Sequence, residues 1–270
     1  MKVSSRLIHP PPRSSHCGII IIFAAALILT ICSFSDRTGT WVVALSFILV
    51  ASSVLLRELQ AFHLAWFTAF FVTAPYMHPS LQGWPFLVLV PLLCYCALAL
   101  TVPKLRSTIS YLHTGRLSRD IVLLGLFVIF VSSIALCAWY RAIGPDLRVQ
   151  LAHFPHMPVW MFPLAAMGFS FGNAFMEEFV YRGIIFQALD SAAGSGFLSL
   201  VIQAWLFGAV HYREGFPNGV WGLVMTTSYG IMLGELRRRS QGMLAPWVVH
   251  AAADGVIFMI LAGMVLKRAG

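Results

Sequence analysis

The sequence predicts an all-α protein, a polytopic membrane helical bundle of about eight to nine transmembrane helices. Three observations carry that expectation. Of its 270 residues 59% are hydrophobic and only 10% charged, where a soluble domain carries about 25% charged residues. Most of the charges are clustered between long apolar runs. The alternating ten-residue segments of a membrane β-barrel are missing, which leaves helices as the spanning element.

A hydrocarbon core about 30 Å thick needs about 20 helical residues to cross. Apolar runs place the expected spans at 18–34, 41–56, 61–77, 84–102, 121–140, 159–188, 195–211, 218–236 and 243–266. The first three are short, so the count reads as nine or eight. The run from Gly18 follows a basic stretch, as a signal-peptide core does. No small-residue cleavage site comes after it, and it reads as a retained first helix.

The net charge of +8 is a statement about topology. Lys2, Arg6 and Arg13 precede the first span, Lys104, Arg106, Arg116 and Arg119 separate the fourth from the fifth, and Arg237, Arg238 and Arg239 follow the eighth. With nine spans and a cytoplasmic N-terminus, all three clusters fall on the cytoplasmic side. The expected location is therefore a cell membrane, the bacterial inner membrane, with the bilayer as a partner. Basic patches interleaved with aromatics are missing, which argues against a nucleic-acid partner. The five cysteines contain no C-x-x-C pair, and Cys94 and Cys96 read as small packing residues.

Ionisable residues divide the chain in two. Residues 1–120 form apolar helices with no assignable role, in which His63 stands alone as a packed or interfacial histidine. The linker 141–157 is expected to hold a short interfacial helix before Pro158, with His153 and His156 facing water or headgroups. Residues 121–270 carry nearly all the intramembrane polar groups, and charges there are costly enough to mark function.

Three polar elements stand out in that half. Glu177, Glu178 and Arg182 lie within six residues of one apolar stretch. On a helix Glu178 and Arg182 share a face and can pair, which leaves Glu177 about 100° away and free for other work. Asn173 and Tyr181, one turn either side of Glu177, can offer it hydrogen bonds. Phe207 and His211 share the next face, with small Gly208 and Ala209 permitting close helix approach. His250 and Asp254 form the third pair, well inside an apolar helix.

A carboxylate beside a neutral histidine can activate water as a general base. A second histidine held by an acid can donate to a developing oxyanion. The same two histidines and carboxylates also suit zinc, although no H-E-x-x-H occurs. Depth poses a constraint. At about 1.5 Å per residue, Glu177 and His211 are roughly 20–25 Å from the 190–194 turn. His250 is only about 10–15 Å from the loop near Gly242. The three can meet only if helices tilt or span ends shift by a turn.

The set E-E-x-x-x-R, F-x-x-x-H and H-x-x-x-[ND], in that order on successive membrane helices, resembles the CAAX-protease and bacteriocin-processing family, also called CPBP or Abi. Glu177-Glu178-Phe179-Val180-Tyr181-Arg182, Phe207-Gly208-Ala209-Val210-His211 and His250-Ala251-Ala252-Ala253-Asp254 match it over residues 158–266. The resemblance implies a glutamate-dependent intramembrane endopeptidase with no metal or other cofactor in catalysis, residues 121–270 being its catalytic core. It gives Glu177 as the general base with His211 beside it. His250 and Asp254 would line the oxyanion site, with Glu178, Arg182, Asn173 and Phe207 in support. The last motif position is typically Asn in the prenyl endopeptidases. Asp254 as a carboxylate cannot donate, so it must be protonated or act by orienting His250.

The implied substrate is a membrane-anchored protein or peptide cut near its C-terminus, in CAAX-type processing, C-terminal sorting or peptide maturation. A silent membrane scaffold or bacteriocin immunity factor would tolerate losses in the motifs, and every motif position is filled. A proton-coupled transporter predicts inverted repeats and polar pairs in both halves, and the chain shows neither.

Overall fold

A computed structural model describes residues 11–34, 39–152, 154–155, 157–213 and 215–269. Lys2, Arg6, His153 and His156 lie outside the described residues. Twelve α-helices follow one another, with no strand among the described residues. They are α1 (His16–Phe34), α2 (Thr40–Leu55), α3 (Leu59–Met77), α4 (Phe86–Thr101), α5 (Pro103–Arg106), α6 (Arg119–Ile143), α7 (Arg148–Ala152), α8 (Phe162–Glu178), α9 (Phe186–Ala193), α10 (Phe197–Arg213), α11 (Gly219–Ser240) and α12 (Leu244–Ala269). A π-helical turn, Phe179–Ile185, joins α8 to α9 in one continuous rod. Each of the nine expected spans is a helix, and the short helix expected in the 141–157 linker is α7.

Four stretches are long and apolar enough to cross a membrane: His16–Phe34, Arg119–Ile143, Val159–Ala193 and Leu244–Lys267. The other expected spans fall short for two physical reasons. Helices α2, α4 and α10 have only 16 or 17 residues, while α3 carries Gln60, His63, Thr68 and Thr73, and α11 carries Thr226, Thr227, Ser228, Glu235 and three terminal arginines. The outer faces confirm the solvent. Along α6, Val122, Leu123, Leu126, Phe127, Phe130 and Ile134 all point outward, an apolar stripe that suits lipid and not water. The chain is an all-helical integral membrane protein.

Two packing groups flank the central rod. Helices α1–α4 share one hydrophobic core with the π turn and α9, running from Ile22 and Leu64 through Tyr95 to Val180 and Leu189. On the other side α12 packs on α8 through Phe258 and Phe169, and on α6 and α11 through Val249, Val128 and Leu233. Helices α10 and α11 approach closely at Gly208, where a Cβ would lie 2.6 Å from the Leu223 carbonyl and against the Thr227 hydroxyl. The small residues expected to allow that approach are what allows it.

The basic segments gather at one end of the bundle. Arg116 N–H donates to the Ser240 carbonyl over 2.7 Å, and Met243 N–H to that of His113 over 2.8 Å. Arg238 pairs with Asp190 at 2.8 Å, and Arg13 reaches Gly194.

His63 is a satisfied core histidine: Nε2 meets the Thr108 hydroxyl and Nδ1 the Tyr95 hydroxyl, each at 2.8 Å. Of the cysteines, Cys32, Cys94 and Cys96 are half-buried, while Cys17 and Cys137 face outward rather than into a core.

Candidate active site

The last turn of α8 and the π turn carry the first element. Glu178 is 1% exposed, and Oε1 lies 2.9 Å from Arg182 Nη1 as the expected i,i+4 ion pair. The pairing survives although the backbone there is π-helical, a conformation that recurs at functional sites. Arg182 also lays its guanidinium over the Phe207 ring, 4.3 Å from the centroid, a cation–π contact that partly replaces water for a buried cation. Its Nη1 sits off the line of a hydrogen bond to Glu178, and Nε and Nη2 have no acceptor among the described residues.

Helix α12 brings the third element against the first. His250 Nδ1 is 2.8 Å from Glu178 Oε1, so the imidazole donates there to a carboxylate. Its Nε2 faces two further acids, Glu177 Oε2 at 3.5 Å and Asp254 Oδ1 at 3.7 Å. Asn173 links the acids: Nδ2 donates to Asp254 Oδ2 over 3.0 Å and lies 3.3 Å from Glu177 Oε1. Trp84 fixes that amide by donating its indole N–H to Asn173 Oδ1 over 2.8 Å.

The α10 pair enters through an aromatic. Phe207 sits among Tyr181, His211 and His250, at centroid distances of 4.7, 5.0 and 5.7 Å. His211 Nδ1 is 3.0 Å from the Phe207 carbonyl. A carbonyl only accepts, so Nδ1 carries the proton, and in the neutral ring Nε2 holds the lone pair. Gly215, at φ 106°, backs this ring so closely that a Cβ would lie 2.6 Å from His211 Cδ2.

All eight residues singled out in the sequence thus converge. His211 joins through Phe207 rather than by a bond to Glu177, and Tyr181 packs on Phe207 instead of serving Glu177. Helix α10 starts and ends two residues later than the run read from the sequence, α12 starts one residue later and ends three later, and the three elements meet nonetheless. Two neighbours escaped sequence reading. Trp84 lies in the half without motifs, and Tyr229 on α11 sets its ring edge-on to His250 at 5.6 Å. Neither carries a sequence signal beyond being an aromatic with a polar tip.

The charges are graded in burial. Glu178, Arg182, His250 and Asp254 are each 0–4% exposed at the side chain, whereas Glu177 is 18% exposed. Three carboxylates therefore share one arginine and one histidine, and Glu177 is the most exposed of the three. Among the described residues no group of three or more His, Cys, Asp or Glu side chains is arranged to hold a metal ion.

Residues 158–256 match the Rce1-like family, described as type II CAAX prenyl endopeptidase Rce1-like. It is the family that the three motifs resemble, and the Rce1-like segment holds every motif residue from Asn173 to Asp254. The match covers over a third of the chain, and its family is described as one of CAAX prenyl endopeptidases. No curated protein and no solved structure matches the chain.

Proposed function

We propose that this chain is a glutamate-dependent intramembrane endopeptidase that cuts a membrane-anchored protein or peptide near its C-terminus. The observation that carries the reading is the asymmetry of the adjacent glutamates: Glu178 is locked between Arg182 and His250, while Glu177 faces water beside them. Glu177 accepts a proton from a water whose oxygen attacks the scissile carbonyl carbon, and His211 Nε2, a lone-pair acceptor, holds that water in line. The carbonyl oxygen becomes an oxyanion. As imidazolium, with Nδ1–H on Glu178, His250 directs Nε2–H toward it, and Asp254 sets the ring. The proton on Glu177 then passes to the leaving amine as the C–N bond breaks.

In this reading residues 121–270 are the catalytic core and residues 1–120 brace it, with nine helices crossing the membrane. The gathering of Arg13, Arg116 and Arg238 at one end supports a cytoplasmic N-terminus in a bacterial inner membrane. The test is cleavage of a library of membrane-anchored C-terminal peptides by purified protein, with Glu177→Gln and with chelator. Cleavage that survives chelator and is lost in Glu177→Gln is expected. Cleavage abolished by chelator, or retained in Glu177→Gln, overturns the mechanism.

A further inference from the structure

Arg182 borders a second space that the protease reading leaves unused. A cavity of about 380 Å³ is lined by Arg182, Arg237, Arg238, Asp190 and Phe186, among others. Three arginines and one aspartate thus line it, Arg182 also being paired with Glu178. Arg238 is well engaged, on Asp190 and the Ser199 hydroxyl at 2.8 and 2.7 Å, and over the Phe186 ring at 4.5 Å. Arg237 makes no ion pair among the described residues. Buried N–H donors remain without an acceptor: Nε and Nη2 of Arg182, Nε of Arg237 and Nε of Arg238. The Arg182 side chain is 0% exposed.

Buried polar groups are rarely left unpaired, and a cluster of unpaired donors of one sign points to an anion. The planar fork of arginine matches phosphate oxygens in pairs. Location narrows the source. The cavity lies where Arg237–Arg239 end α11, beside the 107–118 loop and the N-terminal side of α1, at the basic end of a membrane bundle. Anionic headgroups concentrate at such an end.

We propose that this cavity is a phosphate site, filled by the headgroup phosphate of an anionic phospholipid from the adjoining leaflet. It acts as a lipid anchor between α9 and α11, with Arg182 as the member it shares with the glutamate cluster.

The test is the unfolding midpoint of the full chain in neutral detergent, titrated with dihexanoyl phosphatidylglycerol, inorganic phosphate or neutral dihexanoylglycerol. Phosphatidylglycerol should raise the midpoint saturably. Arg237→Gln should weaken its apparent Kd about tenfold or more, the loss of one charge-assisted fork. Arg239→Gln, at an exposed arginine paired with Glu235, should leave it unchanged. If Arg237→Gln does not fold, Arg237→Lys, which keeps the charge and loses the fork, is read in the same way. The same saturation by inorganic phosphate keeps the phosphate site and assigns free phosphate as its occupant. Equal stabilisation by neutral dihexanoylglycerol, or no effect of either Arg237 variant, overturns the site. No cleavage is measured, so the result is independent of the protease reading.

Discussion

Glu177 and Glu178 are chain neighbours of identical chemistry, yet removing the charge of each should have opposite consequences. Glu178→Gln takes the counter-charge from Arg182, whose side chain is 0% exposed and 2.9 Å away, and from His250 at 2.8 Å. Breaking a buried pair by removing one partner costs about 3–5 kcal/mol. The Phe207 face touches Arg182 in the unmutated protein already and supplies no new compensation. Glu177→Gln removes the charge of a carboxylate that is 18% exposed and whose neighbours are 3.3 and 3.5 Å away. The amide keeps the volume and an acceptor for Asn173, so the expected loss stays within about 1 kcal/mol.

The two variants should therefore differ in stability by about 2–4 kcal/mol, with Glu178→Gln the weaker. Activity should run the other way. Glu177→Gln stays folded and loses cleavage by about 10²–10⁴-fold, the range for a missing general base. The assay pairs reversible unfolding in mixed micelles with cleavage per folded molecule. Adding Arg182→Met to Glu178→Gln should recover part of the stability, since the unpaired buried charge is then gone. Equal stability losses in the two single variants, or a Glu178→Gln protein as stable as wild type, would refute the division of labour.

Asp254→Asn should retain cleavage, because an amide still accepts from Asn173 at 3.0 Å and gains a donor on the side of His250; a loss of about a hundredfold would show that the carboxylate charge itself is required. Gly208→Ala should destabilise the protein by about 1–3 kcal/mol by forcing α10 from the Leu223 backbone, as thermal unfolding in detergent would report. His63→Leu should lower stability by about 1–3 kcal/mol by stranding Tyr95 and Thr108, with cleavage per folded molecule unchanged; a matching fall in cleavage would place His63 in the reaction.

The sequence made the helices legible because length and hydropathy decide them locally, and the structure follows each of the nine apolar runs. It did not reveal which of them are long enough to cross a membrane alone, since that turns on a few residues at each end. The polar constellation was legible for a related reason. Glu178, Arg182, His250 and Asp254 are too costly in an apolar helix to be there by chance of packing. The π turn was not legible, because Phe179–Ile185 reads as ordinary α-helix until its surroundings are known. Trp84 was not legible either: a donor-only indole beside a helix start looks like any interfacial tryptophan.

Trp84 and the π turn bear on the same question, the work done by the motif-free half. A wide turn in the middle of a rod is held in place only by what packs on it. On one side Phe207 covers Arg182 and Tyr181. On the other, Phe179 is edge-on to Tyr95 and Tyr111 at 6.3 and 5.3 Å. Those tyrosines share a 2.8 Å hydrogen bond that continues to His63 and, through it, to Thr108. Gln187, two residues after the π segment, bonds to Gln60 at 2.7 Å and Ser110 at 2.7 Å. A polar chain from α3, α4 and the 107–111 strand of loop thus braces the turn that aims Glu178 and Arg182, while Trp84 aims Asn173. If the site is catalytic, the N-terminal helices need no motif of their own to matter for it, because the residues of a site are held in place by the groups packed around them.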